Sequence, residues 1–228
     1  MALWLGVTLS LLLGVIHFYN EKFNIPKQYK QGVVSFVGGV SVAYAFLFLL
    51  PDVYLRVGHF GSGLYFLLLF GFAAIHFLEK TIYRGNRGVG RVFWHGFVHV
   101  AVLFLYYFMV GSILLPMLEN DTLQGILFFL PLAFYGMIGI MSFEAVHHAV
   151  RKYMFLRLFL SASAILGILT AYVLSINKFL MYHALFAVVV GGFLYIAFMD
   201  FIPQKNKGAP IYFIAGVIIY SLIIFLTL

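Results

Sequence analysis

The chain contains no cysteine. Disulfides, thiolate metal sites and a cysteine nucleophile are therefore excluded, and cysteine usage carries no information on redox compartment. Charge is almost as scarce. Asp, Glu, Lys and Arg make up 9% of 228 residues, where a soluble domain carries about a quarter. So few charges cannot cover a water-facing surface, and most of the outside must face something else. No low-complexity tract or strong internal repeat is visible, and the longest polar connection, about residues 20–31, is too short to fold alone. What is present is apolar: 64% hydrophobic residues, with 27 Phe and 15 Tyr. The length suits one domain, residues 1–228.

Eight apolar stretches are each near the length needed to cross a hydrocarbon core of about 30 Å. They cover roughly 2–19, 32–50, 62–80, 92–115, 124–148, 155–176, 181–202 and 209–228. Their apolar character is continuous instead of alternating, which predicts helices and not barrel strands. The expected fold is an all-α integral membrane protein, a bundle of eight transmembrane helices. The first stretch, "MALWLGVTLSLLLGVIHFY", lacks a basic leading region and a small-residue cleavage site, and reads as a retained helix.

With eight spans, the connections alternate sides. One side collects Lys22, Lys27, Lys30, Lys80, Arg84, Arg87, Arg91, Arg151, Lys152, Arg157, Lys205 and Lys207, and the other only Arg56 and Lys178. A split of 12 to 2 follows the positive-inside rule and predicts both termini outside. The net charge of +7 then reflects orientation. The expected partner is the lipid bilayer with its anionic headgroups, and nucleic acid is not expected. A bacterial inner membrane is the expected location, and a homodimer is a further expected partner state.

Ionisable groups in membrane helices are costly, so each one is a functional candidate. His17, His76, Glu79 and Lys80 sit at span ends, where interfacial anchoring accounts for them. His95 and His99 are one turn apart and share a face, the spacing of a two-ligand half site for zinc or a similar ion; interfacial histidines are the alternative. Glu144, His147 and His148 are spaced i, i+3, i+4. Glu-x-x-His on a helix serves bundle metal sites, because carboxylate oxygen and imidazole nitrogen can share an ion. Pairing of Glu144 with His148 or Arg151 is the competing reading. Asp52 and Asp200 each lie near a proline at a helix end; Asp52 reads as solvated, Asp200 as deeper and able to pair with a neighbouring helix. Tyr106 and Tyr107 read as packing.

Several stretches in order resemble the ZIP family of divalent-metal transporters. "GGVSVAYAFLFLLPD" (38–52) is similar to the family's second span, which ends in Leu-Pro-acid. "GLYFLLLFGFAAIHFLEK" (63–80) is similar to the third, which ends Leu-Glu-Lys or Leu-Glu-Arg, and "GGFLYIAFMDFIPQ" (191–204) to the seventh. The metal-binding spans depart from the pattern. In "YYFMVG" (106–111), Tyr106, Tyr107 and Val110 stand where the family has His, Asn and Asp, and Gly111 is retained. In "FEAVHHAVR" (143–151), Glu144 and His147 match, while Phe143, Val146, His148 and Arg151 replace His, Pro, Glu and Asp. Phe48 stands where the second span often has His.

The resemblance implies eight helices with both termini outside, and transport or binding of a divalent transition metal such as zinc, iron or manganese. The expected metal ligands are Glu144, His147 and His148. His95, His99 and Asp200 are expected as pathway or accessory ligands. The lost fourth-span ligands favour a rival, a non-transporting scaffold or regulatory relative. A membrane metalloenzyme ranks last, because no clear nucleophile or substrate pocket is legible, and the chain is expected not to be an enzyme.

Overall fold

The computed structural model describes residues 1–19, 25–84, 89–138, 154–175, 180–200 and 208–227; the side chains of residues 27, 79, 81–84, 89–99, 138 and 200 lie outside that description. Every regular element described is helical. Helix α1 spans Ala2–Tyr19, and α2 spans Lys27–Tyr44 before passing through a π-helical turn, Ala45–Leu49, into α3, Leu50–Phe60. Then come α4 (Gly63–Arg84), α5 (Val89–Asn120), α6 (Thr122–Ile138), α7 (Met154–Leu174), α8 (Leu180–Asp200) and α9 (Pro210–Thr227).

Among the described residues, six helical stretches are long and apolar enough to cross a membrane: 2–19, 28–60, 100–120, 154–174, 180–199 and 210–227. Two shorter apolar ones, Gly63–Leu78 and Thr122–Met137, bring the number of membrane-compatible segments to between six and eight. The outer faces fit that setting. Trp4, Phe66, Phe70, Phe155, Ile211 and Phe225 are all well exposed, which water would penalise and hydrocarbon would not.

The second segment departs from expectation. Residues 32–50 were expected to end at Pro51, yet the helix continues to Phe60. Proline lacks an N–H and crowds the carbonyl one turn back. The π turn relieves this: the Leu50 N–H bonds the Ala45 carbonyl, one residue farther back than in an α-helix, and the register shifts just before Pro51. Gly61, with φ of 89°, then ends α3 in a conformation open to glycine and costly for other residues. At the next helix junction but one, Asp121 caps α6 by accepting the Leu123 N–H at 2.8 Å.

Three helix pairs are drawn together by reciprocal glycines. On α5 and α7, a Cβ added at Gly111 would lie 2.1 Å from the Ala164 carbonyl oxygen, and one at Gly167 would lie 2.1 Å from that of Phe108. Gly71 and Gly191 stand in the same relation on α4 and α8, against the carbonyls of Val188 and Leu68. Gly39 and Gly216 do so on α2 and α9, against Phe213 and Phe36. Between apolar helices in lipid, hydrophobic burial gives little drive to associate. Close backbone approach through small residues supplies dispersion contact instead. Ser112 adds a polar tie at the α5–α7 crossing, its hydroxyl donating to the Phe108 carbonyl at 2.9 Å and lying 3.3 Å from that of Gly167. Helices α1, α5, α6 and α7 pack on one side; α2, α3, α4, α8 and α9 pack on the other, with α5–α8 and α2–α6 contacts joining them.

Candidate functional site

The middle of α5 lies where these two sides meet. Tyr106, Tyr107 and Val110 are fully buried there. Tyr106 borders Gly192 of α8, the Tyr106 and Tyr107 rings meet edge to face at 5.5 Å, and His17 of α1 packs on Tyr107 with ring centroids 4.1 Å apart. The neighbouring Tyr44 of α2 is enclosed by Phe48, Phe128, Phe193 and Tyr220. These tyrosines pack, as expected, but packing does not account for their oxygens. The hydroxyls of Tyr44, Tyr106 and Tyr107, and of Ser41 one turn before Tyr44, are buried without a hydrogen-bond partner among the described residues. Tyr220 shows the ordinary arrangement, its hydroxyl donating to the Leu127 carbonyl at 2.7 Å. A buried hydroxyl left unpaired costs about 1–3 kcal/mol, so each of these calls for a partner beyond the described residues, in water, an ion or the rest of the chain.

His17 and His76, expected as span-end anchors, each meet an aromatic side chain of another helix. His17 faces Tyr107 and Gly136 inside the bundle. His76 lies between α4 and α8, its Nδ1 3.3 Å from the Tyr195 hydroxyl and its ring 5.5 Å from that of Tyr195. An imidazole has an apolar body as well as polar edges, so an aromatic, hydroxyl-bearing neighbour on an adjacent helix competes well with the interface.

The expected metal ligands Glu144, His147 and His148 lie outside the described residues. His95 and His99 fall on the first turns of α5, with backbone positions that share a face, and Asp200 is the last residue of α8; the side chains of all three lie outside the description. Among the described residues, no group of three or more His, Cys, Asp or Glu side chains is placed to hold a metal ion. The α5 positions that the resemblance aligns with metal ligands offer two neutral phenol oxygens and, at Val110, no donor at all.

A second polar group lies at the junction of α3 and α8. Arg56 Nη2 donates to Asp52 Oδ2 at 2.9 Å and to the Tyr182 hydroxyl at 3.1 Å, while Nη1 approaches His183 Nδ1 at 2.7 Å. The guanidinium lies over the rings of Phe186 and Tyr182, at 4.2 and 4.7 Å from their centroids, and Phe60 stacks on His183 at 3.8 Å. Asp52 is thus not simply solvated. Its side chain is 23% exposed and ion-paired, because a guanidinium held over aromatic faces needs a counter-charge in a poorly solvated place. The i, i+4 spacing of Asp52 and Arg56 was a legible signal for that pair. His183 and Tyr182, more than 120 residues away in sequence, carried none.

No family model matches the chain, and no curated protein matches it in sequence.

Proposed function

We propose that this chain is a ZIP-like membrane protein that binds a divalent transition-metal ion, zinc, iron or manganese, and moves it across the bilayer. The observation that carries the reading is the set of Tyr106 and Tyr107 hydroxyls, which have no partner among the described residues and lie buried beside His17 at the level of α5 where the resemblance calls for metal ligands. Polar atoms buried in a bundle of apolar helices are expensive unless something occupies the space beside them. The primary ligands in this reading are Glu144, His147 and His148, with His95, His99 and Asp200 along the path. Transport proceeds by alternating exposure of one site between the two helix groups. The eight-span count, the outward termini and a bacterial inner-membrane location belong to the same proposal and draw on the 12-to-2 basic split.

A second reading has its own support. Val110 carries no donor and is buried, and the glycine-closed α5–α7 crossing leaves little room behind it. A relative that kept the architecture as a scaffold or regulatory partner and lost the ion fits this equally simple fact. Uptake of zinc and manganese into proteoliposomes, with equilibrium binding on the same preparation, separates the two. Saturable binding and flux, both lost in Glu144→Ala, support transport. Binding without flux, or neither, supports the scaffold.

A further inference from the structure

Helix α3 combines a hinge with a latch. The hinge is the π turn Ala45–Leu49 together with Pro51. Proline has no N–H to donate, so the backbone here makes fewer helical hydrogen bonds than an unbroken helix, and such points are where helices bend. At the far end, Gly61 and Ser62 alone separate α3 from α4, and Gly61 has left the helical conformation with φ of 89°. The 11 residues of α3 thus lie between two points where the chain can change direction. Val53 is the one fully buried residue of α3, so apolar packing alone holds this segment weakly.

The latch is polar. Arg56 keeps Asp52 of its own helix and reaches Tyr182 and His183 of α8. Phe60, at the end of α3, stacks on the same His183 ring. The latch carries a chemical condition. A guanidinium only donates, so His183 must present a lone pair at Nδ1. Protonation replaces that acceptor with a second cation facing Arg56. Among the described residues, the charged groups acting on His183 are Arg56 and Asp52, both from α3. Helices α2, α4 and α5 also pack on α8, but none of them brings a described charged group to this imidazole. The only anion at hand, Asp52, is already paired with Arg56.

What lies behind α3 is polar too. Tyr44, immediately before the π turn, faces Phe193 of α8, and its hydroxyl has no partner among the described residues. Asp52 and Tyr182 are close enough to act on that hydroxyl electrostatically. The hinged segment therefore stands between the partly exposed Asp52 side chain and the buried oxygen of Tyr44.

We propose that α3 is a proton-released gate. It is held against α8 while His183 is neutral, and it swings on the π turn when His183 is protonated, opening a way from Asp52 to Tyr44. That the species admitted is a divalent cation rests on the transport reading above; the latch itself does not.

The absence of cysteine makes the movement directly measurable by spin labelling. Tyr54→Cys on α3 and Leu180→Cys on α8 are both at exposed positions, and pulsed electron paramagnetic resonance reads the distance between their labels in the metal-free full chain in nanodiscs. At pH 8 one short distance is expected. At pH 5 a longer component is expected to grow, its ratio to the short one rising about tenfold, the equilibrium equivalent of one hydrogen bond to a charged group. With His183→Phe added, the distribution should be the same at both pH values. With Arg56→Ala added, the long component should be present at both. Tyr65→Cys on α4, paired with the same Leu180→Cys, spans the glycine-closed α4–α8 pair and should give one distance throughout. An unchanged α3–α8 distance at pH 5, a pH shift that persists in His183→Phe, a short distance alone in Arg56→Ala, or an equal lengthening of the α4–α8 pair overturns the gate. The two proposals fail separately: zinc flux in proteoliposomes with no α3 movement sinks the gate, whereas an α3 movement that follows His183 in a chain that binds no metal upholds the latch and sinks the transport reading.

Discussion

Arg56 of α3 and His183 of α8, 127 residues apart in sequence, meet with Nη1 2.7 Å from Nδ1. A guanidinium only donates, so His183 must accept at Nδ1 and carry its proton on Nε2. Asp52 and Tyr182 take the other side of the same guanidinium. One cation thus joins two helices, and its bond to His183 exists only while the imidazole is neutral.

Acid should therefore loosen the α3–α8 contact. Protonation removes the acceptor and sets an imidazolium against a guanidinium, so the stabilisation is present at neutral and higher pH and is lost as pH falls through the histidine range. A hydrogen bond to a charged group is worth about 1.5–3 kcal/mol. Partial exposure of His183 brings the expectation toward the lower figure. Thermal unfolding at pH 8 and pH 5 measures it. His183→Phe keeps a ring against Phe60 but cannot titrate, and it should show a smaller difference between the two pH values than the wild type.

Arg56→Lys should behave as a loss and not as a conservative change. One ammonium cannot reproduce the planar fork that reaches Asp52, Tyr182 and His183 together, nor lie flat over Phe186. A destabilisation of about 1–3 kcal/mol is expected. A double-mutant cycle with Asp52→Asn should show coupling, since the two side chains form an ion pair. Additive effects would mean that the pair contributes nothing specific.

Gly111→Ala and Gly167→Ala each put a methyl about 2.1 Å from a carbonyl oxygen of the opposite backbone. Neither contact can be relieved by turning a side chain, so α5 and α7 must separate. Each change should destabilise by at least the roughly 1–3 kcal/mol of overpacking. The double variant should cost less than the sum, because one separation relieves both clashes. Gly58→Ala, with nothing within 4 Å of the added carbon, is the control and should be near neutral or slightly stabilising.

Tyr107→Phe removes a buried hydroxyl that has no partner among the described residues. Deleting an unpaired buried polar group removes a desolvation cost, so thermal stability without metal should hold or rise by about 1 kcal/mol. If the proposed ion or its water shell uses that oxygen, zinc affinity falls at the same time. Stability and calorimetric binding measured on one preparation read both. Lower stability without metal would show that the hydroxyl has a structural partner.

Reporter fusions at Gly88 and Leu228 should report opposite sides of the membrane, following the 12-to-2 distribution of basic residues. Equal sidedness would exclude eight spans with outward termini.

The sequence by itself determined the helical class and the membrane-compatible character. Continuous apolar runs of span length have one economical backbone solution in lipid, and that inference needs no partner for any residue. The Asp52–Arg56 pair was within its reach, because a helix makes i, i+4 neighbours of any such pair, although Asp52 itself reads as solvated there. The sequence could not reveal which glycines face which carbonyls, since Gly39 and Gly216 or Gly71 and Gly191 become opposite only when distant helices cross. For the same reason it could not show Tyr107 beside His17 or Tyr195 beside His76, and the passage of one helix through Pro51 depended on a π turn that leaves no residue pattern. Glu144, His147 and His148 lie outside the described residues, so their role rests on spacing and resemblance. What the tertiary structure decided is which polar atoms acquire partners. Arg56 gains His183 and Tyr182, while Tyr44, Tyr106 and Tyr107 gain none for their hydroxyls among the described residues. Partnership depends on a separation of a few ångströms between residues that periodicity can assign to a face but cannot bring together.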